Sequence, residues 1–312
     1  MPEPVDVLGL GCLAVDELLL LPRWPEPDTK TRLAGRDRQG GGLTGNALVA
    51  AARYGARAAY AGPLGRDPDS QFIRDLFAQE GVDLSMASES SSARPIRSTI
   101  LIDQERHTRT VLFDLAGSVG AQADWPPEPT ITAARVLFVD HYGIEGMIRA
   151  ARIARASGIP VVADLERDEW PGFHDLLALV DHLIVTRAFA SRLTGLADPA
   201  GAVDRLWHSG RQTVIVTCGE QGCWWRAADS ARPAHYPAFT VPVVDTTGCG
   251  DAFHGIYAAS LAHGEPLLTR LAHASAGAAL KAMHPGAQRG LPTREAILRL
   301  LLNPTISPTN HS

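Results

Sequence analysis

The run VDVLGLG at residues 5–11 is short, apolar throughout and stopped by glycine, which predicts a parallel strand buried on both faces. A second apolar piece at 15–21 leads into the proline-rich PRWPEP and then the mixed TKTRLAGRDRQ, a pattern that suits a sheet with one face in water. Residues 44–54 are rich in alanine, open on Thr44 as an N-cap and stop before Gly55, so a helix is expected to start beside the glycines at 40–42. Past Gly55, ARAAYAGPLG reads as strand and DPDSQFIRDLFAQEG as an amphipathic helix closed by Gly81. RSTILI (97–102) and TRTVLF (108–113), joined by the polar DQERH, predict a hairpin that shares a small sheet with 15–21. Four more apolar runs, ARVLFVD, IPVVAD, DHLIVT and TVIVT, alternate with segments of helical period such as IEGMIRAARIARASG, the pattern of a parallel sheet covered on both sides. The last third reads as helices, no repeat period is visible, and the closing NPTISPTNHS has the composition of a flexible tail.

Composition narrows the function classes. With 45% hydrophobic and 20% charged residues among 312, the chain has the make-up of a packed globular protein. The 29 basic and 34 acidic residues give a net charge of -5 with no long basic stretch, which argues against a protein that tracks duplex nucleic acid. No apolar stretch approaches the roughly 20 residues of a membrane span, and MPEPVDVLGL carries acid ahead of its apolar run, unlike a secretory leader, so a cytoplasmic protein without membrane partners is expected. Cys12, Cys218, Cys223 and Cys249 form no CxxC pair and read as buried or loop thiols. Lysine occurs only at 30 and 281, which excludes a phosphate loop of the Gly-Lys-Ser/Thr kind. Gly9 and Gly11 are followed by Ala14 and then at once by Asp16, an arrangement that argues against a nicotinamide dinucleotide fingerprint.

Candidate chemistry concentrates at residues 243–259, VVDTTGCGDAFHGIYAA. An apolar strand end followed by Thr246, Thr247, Gly248, Cys249 and Gly250 runs straight into a helical pattern, so unspent backbone amides at the helix start would face an anion. Asp251 falls in the first turn of that helix, where the macrodipole lowers a carboxylate pKa and where its oxygens lie beside the anion. Such a carboxylate can accept a hydroxyl proton, although a plain helix cap and a tight turn would carry the same residues.

These residues resemble the PfkB carbohydrate kinases of the ribokinase-like fold. DTTGCGDAFHG is similar to that family's D-T-x-G-A/C-G-D-x-F, and GGGLTGNALVAAARYG, about 200 residues earlier, to its G-G-x-x-x-N-x-A-x-x-x-A-x-L-G. The resemblance implies an α/β fold with a three-layer α/β/α core, a mainly parallel sheet and a small β lid built from about 12–38 and 94–114, in one domain over 1–303 with a tail at 304–312. Within the family, LIDQERHTRTVLFD and the strand ending in DLER look most like ketohexokinase and related bacterial sugar kinases.

The same resemblance implies roles. Asp251 becomes the general base; Gly248, Cys249 and Gly250 form the anion hole; Asp16, Gly41, Gly42 and Asn46 face the sugar. Thr217, Gly219 and Gly222 in VTCGEQGCWW match a T-x-G-x-x-G turn near the ATP phosphates, a string that otherwise reads as an ordinary hairpin turn. Gly277 floors the adenine pocket or else permits close helix packing, and Arg109 is a lid arginine for phosphate or a cross-strand partner of the carboxylates in DQERH. Asp245 and Thr247 match a monovalent cation site (K+) of some members. His141, His254, His273 and His284 read as core or surface histidines.

Three departures stand out. The Asn-x-x-Glu expected after DHLIVT is replaced by Thr186, Arg187, Ala188, Phe189 and Ala190, which leaves Asp164 or Glu166 to hold water on Mg2+. Leu43 stands where a polar sugar contact is usual, and PEPDTK lacks the glycine of the usual lid turn. The expected function is transfer of the γ-phosphoryl group of ATP to a hydroxymethyl group of a ketose or pentose, with a ketohexose favoured over ribose, by a homodimer joined through the lid strand Leu18 to Leu21. A nucleoside kinase, with Trp24 stacking on the acceptor, and a catalytically silent sugar-binding regulator are the alternatives.

Overall fold

The computed structural model describes residues 5–106 and 108–302. The tail expected at 304–312 lies outside them. An eight-stranded sheet runs through the molecule in the order β14-β13-β12-β11-β10-β9-β1-β4. Its strands are β1 (Val5–Gly9), β4 (Ala58–Tyr60), β9 (Ala134–Val139), β10 (Val161–Asp164), β11 (His182–Thr186), β12 (Thr213–Thr217), β13 (Cys223–Ala227) and β14 (Ala234–Tyr236). The six strands from β12 to β4 are parallel, and β13 and β14 complete the sheet antiparallel. The central strands bury nearly every residue, as unbroken apolar runs must when helices cover both faces.

One covering layer holds α1 (Leu43–Arg53), α2 (Pro68–Glu80), α8 (Cys249–Ala262), α9 (Leu267–Ala282) and α10 (Arg294–Leu301); the other holds α3 (Glu128–Thr132), α4 (Ile144–Ala156), α5 (Phe173–Leu179), α6 (Arg187–Thr194) and α7 (Pro199–Leu206). Two apolar clusters, one on each sheet face, are therefore the core. A separate sheet of order β3-β2-β7-β8 contains β2 (Ala14–Leu21), β3 (Gly35–Gly41), β7 (Ile96–Asp103) and β8 (Thr108–Asp114), and a two-stranded piece pairs β5 (Pro63–Leu64) with β6 (Ser88–Glu89). Asp69 of α2 anchors the small sheet by accepting from Arg38 of β3 and Arg97 of β7, each at 2.5 Å.

Two local expectations fail for identifiable reasons. Gly42, not Thr44, is the N-cap of α1, and the Thr44 hydroxyl instead donates to the buried carboxylate of Asp140 at 2.9 Å. No strand leads into the glycine turn at 248: residues 243–247 are irregular, Val243 and Val244 are exposed, and the amides of Val244 and Asp245 donate to Ala282 O at the end of α9. Apolar character there reflects a loop tied to a helix end rather than a ladder.

Candidate active site

The C-terminal ends of β1, β9, β10 and β11 open between the small sheet and the starts of α1 and α8, the place where open parallel sheets carry ligands. Two glycine turns shape this cleft. Gly248 caps α8 at φ +79, and a Cβ there would come within 2.8 Å of Ala287 O, so both backbone conformation and space require glycine. The amides of Gly250 and Asp251 are not used by the chain's own backbone bonds, whereas that of Cys249 donates to Thr246 O at 3.2 Å. A Cβ on Gly250 would meet open space, so this side of the turn faces the cleft. At the other turn Gly42 has φ +87, and a Cβ on Gly41 would fall 2.2 Å from the Asp16 carboxylate.

Asp251 and Asn46, which are 205 residues apart in sequence, meet here: Asn46 Nδ2 donates to Asp251 Oδ2 at 2.6 Å, while Asn46 Oδ1 is buried without a partner. The contact exists because α1 and α8 cross at touching distance, with the Cα of Gly255 so near Ala47 O that a Cβ would sit 2.1 Å from it. Burial of the carboxyl and the neighbouring Asp164 push the Asp251 pKa well above the carboxylate range, against the lowering by the hydrogen bond from Asn46. Burial likewise drives Asp164 up, helped by Glu166 and Asp140. Asp16 is buried on β2, and desolvation lifts its pKa to about 6 against a hydrogen bond from Ser98.

His254 is a participant that sequence reasoning set aside. Its Nδ1 lies 2.7 Å from Gly250 O and 3.4 Å from Asp164 Oδ2, and its Nε2 lies 3.0 Å from Ile184 O, so it braces the anion turn against β10 and β11. Its i+3 spacing from Asp251 was the available signal. His273 is also buried and engages Glu265, His284 is exposed, and both ring nitrogens of buried His141 are without a partner among the described residues.

The chain matches the model of the pfkB family carbohydrate kinase over residues 13–294. The chain belongs to the PfkB family of carbohydrate kinases. Among its relatives, ribokinase from Haemophilus influenzae is 29% identical over 306 residues, covering 94% of this chain and 97% of that protein. Fructokinase from Klebsiella pneumoniae is 30% identical over 284 residues, covering 84% and 91%. Among solved structures, ribokinase from Arabidopsis thaliana complexed with ribose and ATP superposes with a TM-score of 0.82 at 22% identity, covering 96% of this chain and 99% of that one. The fold is thus ribokinase-like, and the protein is a phosphotransferase acting on an alcohol group.

In this PfkB kinase the remaining candidates divide into those at the cleft and those away from it. Arg109 on β8 stands opposite Ile102 and reaches across to the anion turn, donating to Thr246 Oγ1 at 2.9 Å and lying 3.9 Å from Asp245. Thr217, Gly219 and Gly222 form the turn of the antiparallel β12–β13 hairpin, with Gly219 at φ +58 and Gly222 at φ +81. A Cβ on Gly277 would strike Ile256 Cδ1 at 2.1 Å and approach Ile297, so that face of Gly277 serves helix packing. Thr186 caps α6, and Phe189 and Ala190 are packed into the core. Leu43, the first residue of α1, is half-buried and packs against Cys12, Ala14 and Ile96.

The carboxylate of Asp245 is spent on protein donors: Oδ1 accepts from Thr247 N and Oγ1 at 2.9 and 2.7 Å, and Oδ2 from Gly286 N at 2.8 Å. Among the described residues no group of three or more His, Cys, Asp or Glu side chains is placed to hold a metal ion, and no helix is long and apolar enough to cross a membrane.

Proposed function

We propose that this kinase transfers the γ-phosphoryl group of Mg-ATP to a hydroxymethyl group of a ketose or pentose, with Asp251 as general base. The observation that carries the reading is the Asn46–Asp251 contact beside the unspent amides of Gly250 and Asp251: one small region holds a carboxylate, an anion site and a buried acceptor awaiting a hydroxyl. Asp16 and Asn46 hold sugar hydroxyls next to Gly41 and Gly42, which brings one hydroxyl against Asp251. Asp251 takes its proton as the oxygen attacks, while the turn at Gly248, Cys249 and Gly250 receives the transferred phosphoryl group on the free amides of Gly250 and Asp251, the Cys249 amide being bound to Thr246 O, and Arg109 neutralises it from the lid. Thr217, Gly219 and Gly222 line the nucleotide side with the backbone near Gly277. The ribose and ATP complex of the Arabidopsis relative supports both ligands at this fold.

Magnesium fits the carboxylates present. Mg2+ keeps most of its waters and binds through one or two carboxylates plus phosphates, and Asp164 and Glu166 lie close enough to Asp251 to raise its pKa. They would hold the ion through water, and when bound it neutralises phosphate charge. The resemblance of the 97–113 hairpin and the DLER segment to ketohexokinases favours a ketohexose over ribose, while Leu43 withholds a polar contact from the acceptor. Asp251→Asn should lower turnover by ~100-fold or more with the ATP affinity and melting temperature kept, because a positioned base contributes about 10² to 10⁴. Near-normal turnover would remove Asp251 from the mechanism, and a thermal-shift panel of ketoses, pentoses and nucleosides with a nonhydrolysable ATP analogue would identify the acceptor.

A further inference from the structure

Lys281 is one of the chain's two lysines, and it is fully buried in the last turn of α9. Lysine is among the residues least often found without exposure, and an ammonium has three donors and no acceptor. Its Nζ donates to Asp245 O at 2.8 Å and to His284 O at 3.1 Å, and no carboxylate of the described residues forms an ion pair with it. A cation held by peptide carbonyls is how proteins replace the water shell of a monovalent metal ion. The resemblance to PfkB kinases gives the expectation that Asp245 and Thr247 border such an ion. That ion does not fit here: Asp245 Oδ1 and Oδ2 are occupied by Thr247 and Gly286, and the main-chain oxygen of Asp245 already receives the ammonium.

The position matters for the chemistry. Asp245 stands three residues before Gly248, and its amide and that of Val244 are bound to Ala282 O, so α9 and the approach to the anion turn move as one piece. Gly290 packs over the lysine stem, where a Cβ would be 3.2 Å from Lys281 Cδ and 2.6 Å from His284 Cβ.

We infer that Lys281 is a built-in monovalent cation, a positioning residue whose ammonium fastens residues 245–250 through the carbonyls of Asp245 and His284, so that this kinase works without potassium or sodium. The activity arm of the test rests on the kinase reading above, and the melting arm does not. In buffers with tetramethylammonium as the only counter-cation, wild-type turnover should change less than twofold on adding 100 mM KCl, and the melting temperature should not rise with K+. Lys281→Ala should lose at least tenfold in kcat with a smaller change in sugar KM, and KCl or methylammonium, but not tetramethylammonium, should restore both turnover and melting temperature. Severalfold activation of the wild type by K+, or a K+-dependent rise in its melting temperature, would overturn the inference. So would a folded Lys281→Ala variant with full activity in the absence of small cations. If Lys281→Ala does not fold, the two wild-type measurements still decide.

Discussion

Asp16 is a carboxylic acid whose burial lifts its pKa to about 6, so it changes charge close to working pH. The ordinary value near 3.9 applies in the unfolded chain, so the folded state binds the proton more tightly. Stability from this group is therefore full below pH 4 and is lost as pH rises through about 6, a penalty on the order of 3 kcal/mol at pH 8. Asp16→Asn should then raise the melting temperature of the free protein at pH 8 and leave it unchanged at pH 4, while raising KM for the sugar. The ionised form is the acceptor of hydroxyls, so wild-type sugar KM should climb below pH 6 with KM for ATP unmoved. A flat sugar KM between pH 5 and 8 would show that Asp16 does not meet the sugar as a carboxylate.

At the level of helices and strands, the crossing of α1 and α8 is the joint on which the site depends; Gly255 lies in it, whereas Gly277 lies in the contact of α9 with α8. Gly255→Ala would drive a methyl into Ala47 O, a backbone atom that cannot step aside, whereas Gly277→Ala meets the free end of Ile256. We expect Gly255→Ala to cost ~3 kcal/mol or more by denaturant unfolding and to depress kcat as Asn46 leaves Asp251, and Gly277→Ala to cost about 1 kcal/mol. Equal costs would mean that the helices adjust freely. Much of this architecture was legible: the six parallel strands and the Asp67-to-Gly81 span of α2 follow from apolar runs, an Asx cap and a glycine stop. Thr44 and the 243–247 segment were misread because their partners, Asp140 and the end of α9, are remote in sequence. The raised pKa of Asp251 was invisible for the same reason, since Asp164 arrives from another strand.

At the scale of the whole molecule, the small sheet ends on β8 as an uncovered edge strand. Every residue of β8 is exposed, including Val111, Leu112 and Phe113, while Arg109 and the Arg167 guanidinium, 5.0 Å from the Phe113 ring centroid, tie that strand back to the core. In the middle of the lid Leu18 and Leu21 are buried and Leu19 and Leu20 half-buried, so the outer strand rather than Leu18 to Leu21 carries the free apolar surface. An unpaired apolar edge of this kind invites a second strand. A second copy of the chain joined through this edge is the expected assembly, read by light scattering as twice the 33.3 kDa chain mass, and Leu112→Glu should reduce it to the monomer. A monomeric wild type at micromolar concentration would remove the dimer.

Long-range pairs tie α1 and the residues before it to the rest of the chain: Cys12 with Asp140, Asn46 with Asp251, Gln39 with Gln288, Arg53 with Leu291. Because a ribosome delivers the chain from its N-terminus, Asn46 emerges 205 residues before Asp251, and Asp251 before Gln288 and Leu291. A chain interrupted between Asp251 and Gln288 holds both members of two of these pairs and only one member of the other two. A copy cut there is expected to show no ATP turnover, measured beside the 312-residue chain.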